Sequence, residues 1–109
     1  MLEKVIEKED ISKFFKYEII KDEKIIARAR LYLIFNDLHE QPYALGEDLF
    51  VDINYRNQGY GKMLVLKTIE KAKESNCYKI ICTTRKKELI KYYDELGFKE
   101  HGFELRLDL

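Results

Sequence analysis

Leu49-Phe50-Val51-Asp52-Ile53-Asn54-Tyr55-Arg56-Asn57-Gln58-Gly59-Tyr60-Gly61-Lys62-Met63 runs from an apolar, β-branched segment through a polar turn into two closely spaced glycines. Residues 49–53 read as a buried strand that stops where residues 54–59 signal a turn. From Gly59 onward, apolar groups fall at Leu64, Val65, Thr68 (by its methyl), Ile69 and Ala72, the spacing of one helix face, with the helix expected to end near Ser75-Asn76. Residues 78–83 then form a short apolar run with β-branched content. A strand, a helix and a second strand in that order require a parallel pair joined by a right-handed crossover.

Upstream, residues 14–20 and 24–35 are rich in aromatic and β-branched residues and flank the polar Lys21-Asp22-Glu23, the pattern of a hairpin. Alternation in Ile26-Ala27-Arg28-Ala29-Arg30-Leu31-Tyr32 gives its second strand one solvated face. Asn36-Asp37-Leu38-His39-Glu40-Gln41-Pro42 reads as a loop. Downstream, Leu89, Tyr92, Tyr93 and Leu96 restore helical spacing over residues 88–96, and Gly97 stands where a helix C-terminal glycine belongs. Phe103-Glu104-Leu105-Arg106-Leu107 alternates as a final strand, and residues 2–8 are a candidate for one more. The expected order is β-β-β-α-β-α-β. This is an α/β chain of the α+β type, with a mixed, mostly antiparallel sheet, one parallel strand pair and covering helices.

A length of 109 residues with 46% hydrophobic content fits one domain, 1–109, with its own core. Charged residues are plentiful, but 20 Lys and Arg balance 20 Asp and Glu, so the field that would gather nucleic acid or anionic membrane is missing. No apolar run approaches the ~20 residues that span a bilayer, and the first residues lack the apolar core of a signal peptide. A cytoplasmic location is the simplest expectation. Cys77 and Cys82, with two scattered histidines, form neither a disulfide framework nor a zinc knuckle, so free thiols and no metal are expected.

A helix that opens just after a strand presents backbone N–H groups suited to anions. Around Gly59 and Gly61, a nucleotide P-loop would need glycine at position 56 and Ser or Thr at 63, where this chain has Arg56 and Met63. A dinucleotide fingerprint would need a third glycine at position 64, where Leu64 stands. What remains is Arg-x-x-Gly-x-Gly. Together with Glu47-Asp48-Leu49-Phe50-Val51 before it and Tyr93-Asp94-Glu95-Leu96-Gly97-Phe98 after it, this resembles the GNAT superfamily of N-acetyltransferases. Asn76-Cys77-Tyr78-Lys79-Ile80-Ile81 also resembles the corresponding strand of glucosamine-6-phosphate N-acetyltransferases, so the likeness covers residues 45–105. Two departures stand out. The strand and helices that usually precede the hairpin and line the acceptor groove are shortened, and Lys86 occupies a position where many members carry Asn or Asp.

The resemblance implies a GNAT-like fold, acetyl-coenzyme A (acetyl-CoA) as cosubstrate, and direct attack by an amine. Coenzyme A pyrophosphate is expected on the backbone of Gln58, Gly59, Tyr60, Gly61 and Lys62, where the glycines remove Cβ atoms that would block approach. Arg56 and Lys62 add positive charge, and Asn57 belongs to the same turn. Tyr93 fits the proton donor for the departing thiolate, because a phenol stays protonated at neutral pH. Adjacent strand residues face opposite sides, so either Glu47 or Asp48 should face the substrate as base, directly or through water, with Glu47 preferred. The oxyanion is expected to meet a backbone N–H near Phe50 or Val51.

Other residues read more simply. His39, Asn36 and Asp37 make a polar turn, Cys82 a buried thiol without a base, and Arg85-Lys86-Lys87 a solvated face. The acceptor stays open between a small molecule and a protein amine. The alternative reading is a non-catalytic acyl-coenzyme A binding or sensing module, which would keep the glycine turn but need neither Tyr93 nor a base. No nucleic acid or membrane partner is expected, whereas the alternating last strand suits pairing in a homodimer.

Overall fold

The computed structural model describes residues 3–109. β1 (Lys13–Lys21) and β2 (Lys24–Ile34) form the expected hairpin, closed by a two-residue turn in which Asp22 and Glu23 both have positive φ, 51° and 62°. That handedness matches the twist of the flanking strands. β3 (Tyr43–Val51) pairs antiparallel with β2, and α1 (Tyr60–Glu74) carries the chain to β4 (Ile80–Ile81), which lies parallel to β3. α2 (Lys87–Glu95) follows. Among the described residues the sheet order is β1-β2-β3-β4, a mixed sheet with one parallel pair.

One face of the sheet packs on α1. The buried side of β2 is Ala27, Ala29, Leu31 and Leu33, and the small alanines let the helix approach so that Leu64 seats against them. Leu31, Leu33, Ala44 and Ala72 form a second core cluster, with Phe15, Tyr17 and Ile80 at its margin, and Ile26 and Val65 are buried as well. Each fully buried leucine contributes about 2 kcal/mol. Of the stripe expected on α1, Leu64, Val65, Thr68 and Ala72 are buried and Ile69 is half-buried. The Thr68 hydroxyl donates to the Val65 carbonyl at 2.7 Å, so its polar atom is satisfied within the helix. Arg28, Arg30 and Tyr32 alternate onto the opposite, more open face.

Four element boundaries differ from the sequence expectation. β3 starts at Tyr43 and stops at Val51, because the Asp52 side chain accepts from the Asn54 amide at 2.9 Å and winds residues 53–55 into a 3-10 turn. β4 shrinks from residues 78–83 to Ile80–Ile81. Residues 3–12 are exposed and form no strand, and Leu2 lies outside the described residues. Residues 98–107 form no strand either, leaving Phe103, Leu105 and Leu107 almost fully exposed. A strand exists only through a partner's backbone, and the two residues of β4 offer too short an edge to template another.

Candidate active site

Among the described residues, β3 and β4 are paired at Ala44↔Ile80 and Leu45↔Ile81 alone. At Gly46 the chains are still close, since a Cβ there would stand 3.8 Å from both the Cys82 Cβ and the Ile81 carbonyl oxygen. Beyond it they part, and a cleft of about 320 Å³ opens between them. Glu47, Asp48 and Leu49 line one wall, Cys82, Thr83 and Thr84 the other, with Tyr93 entering from α2 and Phe98 from the segment just after it. The structure thus brings Glu47 and Tyr93 to one cavity.

The cause of the splay is a bulge. Arg30 is paired with Glu47 and Arg28 with Phe50, so Asp48 and Leu49 together oppose Ala29. Asp48 takes up the extra length with φ 56°, a conformation that Asp tolerates better than most residues. The strict alternation expected across Glu47 and Asp48 therefore fails. Glu47 shares its face with Arg30, and the Asp48 carboxylate also turns to that face, where Arg28 donates from Nε at 2.8 Å and from Nη2 at 3.2 Å. Those hydrogen bonds hold Asp48 below the ordinary carboxylate range, which makes it a poor proton acceptor. Among the described residues no cation pairs with Glu47, whose side chain is exposed.

Tyr93 owes its position to the end of α2. The Phe98 amide donates to the Tyr93 carbonyl and the Gly97 amide to that of Asp94, both at 3.0 Å, a paired closure that requires Gly97 at φ 98°. The signature Tyr-x-x-x-Gly-Phe is this helix stop, with its two aromatic rings in contact. Burial pushes the Tyr93 phenol up to about 12, with Cys82 and Tyr92 adding to the effect, so it remains a proton donor at neutral pH. The Cys82 thiol is itself pushed up by burial and is not an activated nucleophile.

The glycine turn lies at the end of β3. Gly59 caps α1 at φ 89° without a side-chain bond, and the first intrahelical bond runs from the Met63 amide to the Gly59 carbonyl at 3.0 Å. The N–H groups of Tyr60, Gly61 and Lys62 therefore have no partner within the helix. A Cβ on Gly61 would make ordinary contacts with Val51 Cγ2 at 3.7 Å and the Tyr92 hydroxyl at 3.9 Å, so this glycine marks where the turn, β3 and α2 meet. These unpartnered donors and the missing Cβ atoms fit a diphosphate. Asp52 donates its amide to Ile26 at 2.8 Å, and by ladder alternation the Phe50 N–H faces β2 whereas that of Val51 faces away from it.

Several expected residues stand elsewhere. Arg56 is tied back, donating from Nε to the Val51 carbonyl at 2.9 Å, while Asn57, Gln58 and Lys62 are exposed around the turn. None of Phe50, Val51, Arg56, Asn57, Gln58, Gly59, Tyr60, Gly61 or Lys62 lines the cleft itself, and the junction between turn and cleft wall passes through Tyr92. His39 rests on Tyr78 with ring centroids 4.0 Å apart, outside the cleft. Arg85 and Lys86 do line it, as does Arg30, which sequence alternation marks only as part of a solvated face.

Comparison with known proteins agrees with this geometry. The profile of the acetyltransferase (GNAT) family matches residues 3–98. A glucosamine 6-phosphate N-acetyltransferase of Trypanosoma brucei brucei is 41% identical over 63 residues, which cover 58% of this chain and 42% of that protein. A probable glucosamine 6-phosphate N-acetyltransferase of Oryza sativa is likewise 41% identical over 63 residues, covering 56% of this chain and 36% of that one. The chain thus spans less than half the length of either relative. The crystal structure of a Trypanosoma brucei acetyltransferase superposes with a TM-score of 0.85 at 27% identity, covering 88% of this chain and 69% of that one. A glucosamine-6-phosphate N-acetyltransferase from Arabidopsis thaliana, 21% identical, shares the fold with a TM-score of 0.82 over 87% of this chain and 66% of its own.

Proposed function

The chain belongs to the GNAT acetyltransferase family, and from that membership we propose that it transfers an acetyl group from acetyl-CoA to an amine. The observation that carries this reading is the cleft at the parting of β3 and β4, which both Glu47 and Tyr93 line, with the glycine turn outside it and linked to α2 where Gly61 faces Tyr92. Acetyl-CoA supplies the acetyl group as an activated thioester. The N–H groups of Tyr60, Gly61 and Lys62 hold its diphosphate, with Gln58 and Asn57 at the rim and the positive end of α1 behind them. Glu47 accepts a proton from the incoming ammonium, and Tyr93 donates one to the departing sulfur. The Val51 N–H, directed away from β2, is the backbone donor suited to developing negative charge on the acyl oxygen.

The acceptor is an amine in the cleft, and the relatives named for glucosamine 6-phosphate make that compound the first to test. Lys86, on the cleft wall, is a reason to include other classes. Thiol release from acetyl-CoA should appear with at least one of glucosamine 6-phosphate, a polyamine, a free amino sugar and a lysine peptide. CoA binding with no turnover on any of them would favour the binding-module alternative. A cytoplasmic location and a homodimer paired through residues 103–107 complete the proposal. Among the described residues no helix is long and apolar enough to cross a membrane, and no group of three metal-ligating side chains occurs.

A further inference from the structure

Arg28 lies outside the cleft, yet its contacts run from the cleft wall toward the glycine turn. Its guanidinium forks onto Asp48 at 2.8 and 3.2 Å, at the residue whose positive φ makes the bulge. The same guanidinium lies 4.7 Å from the centre of the Phe50 ring. Arg56 meets that ring at 5.9 Å, and Arg56 in turn holds the Val51 carbonyl through Nε. Asp48, Arg28, Phe50, Arg56 and Val51 thus form a continuous series of contacts along the open face of β3, from the bulge beside Glu47 to the start of the cofactor turn.

We propose that Arg28 is a positioning residue, which acts through Asp48 and Phe50 to fix the bulge carrying Glu47 relative to the turn that holds the cofactor. The proposal rests on the acetyl-transfer reading above. Arg28 and Asp48 are each about 40% exposed in their side chains, so water screens their attraction and the pair adds little to global stability. What the contact supplies is geometry. A planar guanidinium fixes a carboxylate by two parallel bonds and lies on an aromatic face at the same time, whereas a lysine ammonium is a point charge without that fork and cannot hold both at once. Without that contact, the Asp48 side chain keeps only the longer approach of Arg30 Nε at 3.9 Å, and the spacing between Glu47 and the turn is held less firmly.

The test uses Arg28→Lys, which keeps the charge, Asp48→Asn, which keeps a side chain tolerant of positive φ, and the double variant, with CoA affinity by calorimetry and steady-state kinetics as readouts. Melting temperatures within a few degrees of the parent establish that each variant folds. Each single variant should weaken CoA binding by about fivefold, and the double variant should be no weaker than the singles, because they break one contact. Lower kcat with the same acceptor KM should accompany the loss. Parent-like CoA affinity and kcat in Arg28→Lys, or additive losses in the double variant, overturn the proposal while leaving acetyl transfer intact. A parent chain that binds no CoA overturns the acetyl-transfer reading itself.

Discussion

The Phe98 ring meets the Tyr93 ring edge-on, centroids 5.5 Å apart, while the Phe98 amide caps the Tyr93 carbonyl at 3.0 Å. One residue therefore fixes both the backbone and the ring of the proposed proton donor. The arrangement depends on Gly97 at φ 98°. Gly97→Ala has open space for its Cβ but not the backbone freedom, so it should lower stability by about 1 kcal/mol. Chemical denaturation measures this, and a turnover loss at unchanged CoA affinity should accompany it.

Tyr93→Phe should keep the fold and CoA affinity and lower turnover by roughly tenfold or more, the loss expected when a general acid is removed. It should also change the alkaline limb of stability. With the folded phenol at about 12 and the unfolded one near ~10, only the unfolded chain ionises between these values, so stability falls as pH rises through that window. Urea melts at pH 9 to 11 should show a shallower decline in Tyr93→Phe, with a residual decline from Tyr17 and Tyr92, whose phenols burial also raises.

Tyr92→Phe is the contrasting case. The Tyr92 hydroxyl is buried without a hydrogen-bond partner among the described residues, so removing it relieves a desolvation cost. Stability should stay level or rise by up to about 1 kcal/mol, and turnover should stay close to that of the parent. A fall in stability would show that the hydroxyl is bonded in solution, for instance through a water molecule.

Gly61→Ala separates cofactor approach from folding. Its added Cβ makes only ordinary contacts, 3.7 Å to Val51 and 3.9 Å to Tyr92, so the melting temperature should hold. CoA affinity should drop by about tenfold if the diphosphate closes on the backbone here. Gly59→Val is a harsher version, because φ 89° strains any side chain.

Deleting residues 103–109 should convert a dimer to a monomer, read by light scattering over a concentration series. The deletion removes Phe103, Leu105 and Leu107, alternating side chains that are almost fully exposed in the single chain. A parent that is monomeric at tens of micromolar would remove the dimer, and a dimer that survives the deletion would move its interface.

What could be read in the sequence was mostly local. The α1 stripe of Leu64, Val65, Thr68 and Ala72, the glycine turn and the Gly97 stop each sit within a few residues of the groups they organise. The bulge at Asp48 could not be read that way. It exists because Ala44 at one end of β3 and Leu49 and Val51 at the other, positions of opposite parity, all face the core, a demand set by the distant residues they pack on. Alternation therefore gives the wrong rule for Glu47 and Asp48: it turns only one of them toward the site, whereas both line the cleft. The last strand failed for the opposite reason, since its pattern is real but the partner edge is too short to pair with it.

The two-residue contact between β3 and β4 also bears on how the molecule breathes. The β1–β2 hairpin is local and long, whereas the segment carrying Tyr93 joins the hydrogen-bonded ladder through two residue pairs. Amide hydrogen exchange should consequently report two tiers of protection, slow in β2 and fast across residues 80–98. A cofactor that bridges the turn and the cleft would bind only while residues 80–98 stay docked on the sheet, so saturating CoA should slow exchange most in that fast tier and raise the melting temperature as its concentration increases.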